Sequence, residues 1–469
     1  METRDADELC ALDATDLARR LRAREISARD VVDAHLDRID RVNPQVNAII
    51  TLDAEGARAA AKAADDGPVT GPLHGLPIAF KDTHDTAGMR TTYGSPLHAD
   101  NVPAEDELVV ARIRAAGAIR IGKTNVPEFA AGSHTFNTLF GATRNPYDRG
   151  RSAGGSSGGA AASLAARLQP IADGSDLGGS LRNPAAFCNV VGFRPTPGRV
   201  PALPSDNLWD PLGTSGPMGR TVADVALLFS AIAGPDPRAP LSLETPGDAF
   251  RTVTEIDLRG LRVAWSPTLG GLPIDPAVSA VLAAAPTVFT ELGALVEEAT
   301  PDLSEAEFAF RTLRANAFDV GFGASFDERP DAFKPALAWN IEQGRALTRS
   351  DVGRAVAAHS RVYQAGIRFF DEYDVLLAPV TQVVPFDVDD EYPREIAGEE
   401  MHSYLDWMRA AYHVTTLGAP AISVPAGFTP EGLPVGLQIV TKPRSDLFTL
   451  QVASAFEAAT HHGRRTPTF

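Results

Sequence analysis

Between residues 27 and 42, Val31, Val32, Leu36 and Ile39 recur at helical spacing, with charged residues filling the gaps. Apolar positions three and four apart fall on one side of a 3.6-residue turn, so this stretch predicts an amphipathic helix. Ser27, followed by Asp30, offers oxygens to the free donors of the first turn. The Asn43-Pro44 step is expected to close the helix, because the residue before a proline leaves the helical region. Residues 15–24 repeat the pattern, and the alanine-rich stretch 54–64 predicts a third helix. From residue 76 the pattern changes. LPIAF (76–80) and AIRIG (118–122) are short apolar runs flanking an alternating helical segment at 106–116. Strand–helix–strand alternation of this kind marks an α/β sheet. It continues as helix 158–168, strand 170–172, helix 222–233, strand 261–265, helix 276–293 and strand 374–380. AISVPAG and LPVGLQIV around F-T-P-E-G read as a hairpin, followed by helix 446–459. Residues 234–258, rich in proline and aspartate, read as a surface connection. No composition break or internal repeat divides the chain, so one large α/β domain spanning 1–469 is expected. In it, a helical segment at 1–65 packs on a core at 66–469.

Composition narrows the function. The 469 residues are 44% hydrophobic and 22% charged, ordinary values for a globular protein. A net charge of −17 argues against nucleic acid as a partner, since phosphate binding needs a basic face. Cys10 and Cys188, the only two cysteines, imply reduced thiols and neither a disulfide framework nor a zinc cluster. METRDADELC has no apolar core, and runs such as Val225–Ile232 are too short to span a bilayer. A soluble cytoplasmic protein with no membrane association is expected.

The densest glycine–serine stretch, SAGGSSGGAAA (152–162), has several possible roles. A flexible linker is disfavoured by the strong helix former directly downstream, Ala160–Leu168. A phosphate-binding P-loop would need a lysine after the glycines. Gly155–Gly159 fits the G-x-S-x-G nucleophile elbow with Ser157 as nucleophile. However, the preceding NPYDRGRSA is polar and turn-like where an elbow needs a buried strand. His359, His402 and His413 sit in no recognisable triad loop. A second cluster, DLGGSLR (176–182), changes the balance. Glycines before Ser180 can turn successive N–H groups into one concavity, a nest for an anion such as a tetrahedral oxyanion. Alone, this cluster would read as an ordinary turn capping a helix at 180–186.

Lys81 ends an apolar strand in GLPIAFKDTHDTAG (75–88). Most lysines there point to solvent. One held in an apolar site loses its proton near neutral pH if its pKa falls from roughly 10.4 to about 7, which takes about 4 kcal/mol against the ammonium. It can then act as general base for a serine in place of histidine.

These three elements together resemble the amidase signature family of serine hydrolases. The resemblance rests on GLPIAFKDTHDTAGMRTTYGS, the segment from GATRNPYDRGRSAGGSSGG through SDLGGSLRNPAAFCNVVGFRPTPGRVP, and GAPAISVPAGFTPEGLPVGLQIV. It is dense in the N-terminal half and good at the C-terminus; residues 240–370 match only in general layout. The resemblance implies a twisted, mixed sheet of about eleven strands covered by helices on both faces. It also implies a Ser–cis-Ser–Lys triad. Ser180 is then the nucleophile, Ser156 the bridging serine after a cis bond from Gly155, and Lys81 the base. The N–H groups of Leu177, Gly178, Gly179 and Ser180 form the oxyanion hole, and Ser157, Asp176 and Arg182 support the loop. Neither cofactor nor metal is implied. His84 beside Asp82 and Asp85 is weak evidence for a metal site, Cys188 reads as a core thiol, and GKTN (122–125) as a strand-end turn.

For the substrate, the resemblance points to Ala130, Ala131 and Gly132 as cleft lining. The 203–215 loop forms another wall with Trp209, and Phe129, Phe136, Leu139 and Phe140 add apolar surface. No arginine cluster suited to a charged acid is evident. The expected function is hydrolysis of neutral apolar or aryl amides, with esters and carbamates as further small-molecule substrates, by a monomer or homodimer. The rival is a glutamine-hydrolysing amidotransferase subunit working in a tRNA-dependent complex. That rival calls for an acidic or arginine contact to glutamine, and Met408 stands where an acid is expected. An inactive scaffold is disfavoured because the three triad positions are intact.

Overall fold

The computed structural model describes residues 3–469; Met1 and Glu2 of the acidic opening segment lie outside them. Three helices, α1 (Thr3–Ala11), α2 (Ala14–Arg22) and α3 (Ala28–Val46), lead into strand β1 (Ile49–Leu52) and α4 (Ala54–Asp66). Ser27 caps α3 as its sequence suggests, accepting the Asp30 N–H at 3.0 Å. Pro44, however, does not close the helix; it lies inside the last turn, and α3 runs on to Val46. One lost donor near a helix end is tolerated here because Asn43 Oδ1 accepts the N–H groups of Ala48 and Ile49 at 3.0 and 2.9 Å.

β2 (Pro77–Lys81), α5 (Leu108–Ala115) and β3 (Ile119–Thr124) form the expected strand–helix–strand unit. The two-residue strands β4 (Phe136–Asn137) and β5 (Gly141–Ala142) pair with each other. α6 (Gly158–Ala165), β6 (Ile171–Asp176), α7 (Arg182–Cys188), β7 (Val191–Arg194), β8 (Thr214–Gly219) and α8 (Val222–Ile232) follow. After the connection come β9 (Arg262–Trp265), α9 (Pro276–Leu282), α10 (Ala285–Glu291) and β10 (Leu295–Glu298). The single helix expected over 276–293 is thus two, broken where Pro286 in the first turn of α10 lacks the donor that continuity needs. Residues 306–372 form three helices, α11 (Ala306–Glu328), α12 (Pro335–Arg345) and α13 (Arg349–Glu372). β11 (Val375–Pro379), the short pair β12 (Glu395–Ile396) and β13 (Glu399–Glu400), α14 (Arg409–Thr415), the hairpin β14 (Ala421–Phe428) and β15 (Pro434–Thr441), and α15 (Asp446–Thr460) complete the chain.

Eight strands form one mixed sheet in the order β10-β9-β11-β15-β14-β7-β8-β6, and three form a second, β1-β3-β2. Alternate residues of the central strands face opposite ways. Leu377, Ile422, Val424, Leu437 and Ile439 join the cluster holding Leu450 and Phe456 of α15. Leu376, Ala378, Ala421 and Val440 join the one holding Val362 of α13 and Val414 of α14. Helices therefore cover both faces of this single α/β domain. The two sheets meet where β2 lies beside β6, and side chains bridge the seam. Gln169 Oε1 accepts the Ala79 N–H at 2.6 Å, and Asp173 Oδ1 accepts the Lys81 N–H at 3.0 Å. Among the described residues, no helix is long and apolar enough to cross a membrane.

The C-terminal helix is fastened by Asp446, fully buried at its start. Its carboxylate accepts the Thr196 N–H and hydroxyl at 2.8 and 2.9 Å and the Arg199 guanidinium at 3.0 Å. Asp446→Ala leaves that guanidinium buried without its acid, and a loss of about 3–5 kcal/mol in unfolding free energy by urea titration is expected.

Candidate active site

Lys81, the last residue of β2, has no solvent exposure. Its Nζ lies 2.8 Å from Ser156 Oγ, 3.0 Å from Ser157 Oγ and 2.9 Å from Ser175 Oγ. Burial pushes its pKa down to about 7, against the opposing pull of Asp173, Asp176 and Glu107. The amine is therefore poised to exchange a proton at neutral pH. The sequence pattern does not single out Ser175, although it lies between the catalytic candidates in GSDLGGS. The Gly155–Ser156 bond is cis. The Gly155 carbonyl accepts from Ser133 Oγ at 2.6 Å, and that hydroxyl in turn accepts from Asn183 Nδ2 at 2.8 Å.

The two glycines after Ser157 answer to packing. A Cβ on Gly158 would fall 2.3 Å from Thr135 Oγ1, and one on Gly159 would fall 2.3 Å from the Asn125 nitrogen. The start of α6 thus presses against its neighbours more closely than any side chain allows. Ser157 receives Lys81 on its hydroxyl and does not line the cleft, and the segment before it is not a strand. The elbow reading has no geometry behind it here.

Ser180 is 8% exposed and shares the cleft with Ser156. Its carbonyl accepts the Ser157 N–H at 3.2 Å, which ties the two serine loops together. Among the described residues no hydrogen bond joins the Ser156 and Ser180 hydroxyls. Asp176 organises the loop before Ser180. Its carboxylate accepts the Gly179 N–H at 2.9 Å and the Leu181 N–H at 3.2 Å. The Gly179 donor expected in the oxyanion hole is therefore already committed, and of the residues expected there Leu177, Gly178 and Ser180 line the cleft. Arg182 grips Asp176 through Nε and Nη2 at 3.0 and 2.9 Å, and Arg194 Nη1 reaches the Asp176 carbonyl at 2.5 Å. Burial alone would raise the Asp176 pKa; the two arginines outweigh it and hold the carboxyl far below its usual range. Arg194 is not legible in the sequence, because nothing in GFRPTP separates it from an ordinary strand-end arginine.

The cleft encloses about 650 Å³. Ala130 and Gly132 line it as expected, with Phe129, Phe318, Phe322 and Met408 as apolar wall. Ala131 does not: it is 1% exposed and packs with Phe318, Phe333 and Leu337. Trp209 also stands outside. The 203–215 loop does form a wall, through Leu208 and Asp210, but Trp209 between them turns outward and is 69% exposed. Phe136, Leu139 and Phe140 likewise lie outside the lining. Arg314 enters unexpectedly, donating to Asn340 and to Tyr404 Oη and stacking 4.1 Å from the Phe318 ring.

The residues around His84 go to separate partners. His84 Nδ1 meets Asp173 Oδ2 at 2.5 Å, Asp82 accepts the Thr92 N–H at 3.2 Å, and Asp85 accepts from Tyr93 Oη. Lys123 of GKTN is buried on the His84 carbonyl at 2.5 Å and Thr86 Oγ1 at 2.9 Å. Cys188 is a buried thiol 3.4 Å from the Ala153 carbonyl, held by burial far above its usual pKa.

Two sheets set a buried lysine beside Ser156 and bring Ser156, Ser180 and a glycine-rich turn to one cleft, the layout of an α/β hydrolase. The Amidase family model matches residues 30–450, and the chain belongs to that family, the amidase signature enzymes, which hydrolyse carbon–nitrogen amide bonds. It is 38% identical over 465 residues to an acylamidase of Rhodococcus erythropolis, covering 95% of both chains. It is 36% identical over 488 residues to a glutamyl-tRNA(Gln) amidotransferase subunit of Moorella thermoacetica, covering 98% of this chain and 99% of the relative. A bacterial aryl acylamidase of known structure superposes with a TM-score of 0.90 at 30% identity, covering 96% of each chain.

Gly159→Ala is expected to cost about 1–3 kcal/mol of stability through overpacking against backbone. Urea titration of the variant against the parent chain checks it.

Proposed function

We propose that this chain is a serine-dependent amidase of the aryl acylamidase or urethanase type. It takes neutral apolar or aryl amides through an acyl-enzyme, and esters and carbamates as well. The observation that carries the reading is the fully buried Lys81 amine, with its pKa lowered to about 7, bonded to Ser156 in the cleft that holds Ser180.

Neutral Lys81 takes the Ser156 proton while Ser156 takes that of Ser180, whose oxygen adds to the acyl carbon. The oxyanion lies against the N–H groups of Leu177, Gly178 and Ser180, with Asp176, Arg182 and Ser157 holding the loop. The proton returns through Ser156 to the leaving nitrogen, the C–N bond breaks, and water cleaves the Ser180 ester by the same relay. Esters and activated carbamates follow because their leaving groups need less protonation than an amine.

The apolar wall supports a neutral acyl group. Each buried CH₂ of substrate contributes about 0.8 kcal/mol, so kcat/KM is expected to climb with chain or ring size until the cleft is full. Met408, on the cleft wall, supplies none of the acidic contact that glutamine's α-amino group asks for. The amidotransferase reading keeps its support from relatives such as the Moorella subunit, and Arg314 is the arginine it has to work with among the described cleft residues. Comparison of kcat/KM for butyramide, an aryl amide, a nitrophenyl ester and glutamine decides between them: glutamine in first place overturns the amidase reading.

Ser180→Ala and Lys81→Ala are each expected to abolish turnover, non-additively, because both belong to one proton chain. A fluorophosphonate is expected to label Ser180 alone; label on Ser157 overturns the assignment. Lys81 works as the neutral amine, so activity rises with pH through about 7 to an alkaline plateau, read from the kcat/KM profile. A chelator is expected to leave that profile unchanged.

A further inference from the structure

Asp173 is fully buried on β6, and its two oxygens face two different groups. Oδ1 accepts the Lys81 backbone N–H at 3.0 Å, and Oδ2 meets His84 Nδ1 at 2.5 Å. A buried carboxylate is costly unless a cation or several donors satisfy it. Neither nearby lysine makes that contact. Lys81 Nζ is held by three serine hydroxyls, and Lys123 Nζ by the His84 carbonyl and Thr86. Of the other acids that bear on Lys81, Asp176 is paired with Arg182 and Arg194, and Glu107, just before α5, faces His84 as well. Asp173 is the one bonded to the Lys81 backbone N–H, and His84 is its ion-pair partner among the described residues.

Resting on the serine–lysine reading above, we propose that His84 is a positioning residue for the Lys81 base, acting through Asp173: as an imidazolium it closes the seam between β2 and β6 and cancels the carboxylate charge beside the lysine. The charged groups facing His84 are Asp173, Glu107, Lys81 and Lys123; those facing Lys81 are Asp173, Asp176 and Glu107. Burial alone would push the His84 imidazole down. Glu107 and Asp173 overcome it and hold the ring above its ordinary value, which favours the charged form. Without that charge, a bare carboxylate beside Lys81 favours the ammonium, and the active neutral amine appears only at higher pH. This assigns His84, which also lines the cleft, a task in tuning the base.

The test is the pH dependence of kcat/KM for His84→Gln and His84→Phe in the full chain, with a nitrophenyl ester or aryl amide as substrate. Glutamine retains a hydrogen bond to Asp173 without the charge, which guards against a variant that merely misfolds. The acidic limb is expected to move upward by roughly one pH unit in both, because an unmasked acid favours the ammonium. Below the limb that amounts to a loss of about tenfold, recovered on the alkaline plateau. Asp173→Asn is expected to move the limb the other way. A limb that stays in place in His84→Gln, with activity reduced by one factor at every pH, overturns the proposal and leaves His84 a packing residue. Lys81→Ala run alongside separates the two readings. Full turnover in that variant sinks the serine–lysine mechanism itself, whereas an inactive Lys81→Ala with an unmoved His84 limb sinks only the role of His84.

Discussion

One buried carboxylate, that of Asp176, holds several parts of the molecule in register. Its oxygens and carbonyl take Arg182 at the start of α7, Arg194 at the end of β7, and the backbone donors of the loop between Asp176 and Ser180. Through the same two arginines it reaches the Ala411 carbonyl and Thr415 on α14, Gln438 on β15 and the Leu212 carbonyl of the cleft wall. An aspartate and two arginines with no solvent access are tolerable only because nearly every donor and acceptor finds a partner. Removing any one strands the others. The Asp176–Ser180 loop is consequently firmly tied, although it is rich in glycine.

That rigidity shapes the rest of the site. The Gly179 donor is spent on Asp176 within the loop. Lys81 approaches from the other sheet, buried among serine hydroxyls, and the loss of solvent lowers its pKa. The Ser180 loop and Lys81 are thus held by different means, the first by the ion pairs of Asp176 and the second by burial against serine hydroxyls. Ser156, bonded to Lys81, lines the cleft with Ser180.

Much of this is legible in the sequence, and the failures have physical causes. The period-two and period-3.6 runs mark most elements of the N-terminal half and the closing hairpin. The strands at Val191–Arg194 and Thr214–Gly219 carry glycine, proline and hydroxyl residues in place of an apolar run, so only their neighbours reveal them. Pro44 reads as a stop because the side-chain cap from Asn43 is invisible in a pattern. The catalytic candidates are readable because glycine, serine and lysine occur there in an order that chance seldom produces. The pocket is readable only as a neighbourhood: Ala131 and Trp209 sit in the right segments but face the wrong way. Arg194, Ser175 and Arg314 act through partners distant in the chain, and a linear sequence carries no trace of such contacts.

The seam between the three-stranded and eight-stranded sheets has a consequence for how such a molecule can change over time. The two sheets share no backbone ladder among the described strands, so the unit carrying Lys81 and the unit carrying Ser180 can each accept substitutions without shifting the other's strand register. Reactivity can drift through the bridging side chains at Gln169 and Asp173, while selectivity drifts separately through α11, whose Arg314, Ala317, Phe318 and Phe322 line the cleft. A catalyst divided in this way has two nearly independent dials. One scaffold can therefore be retuned for a new scissile bond without being rebuilt to admit a new acyl group.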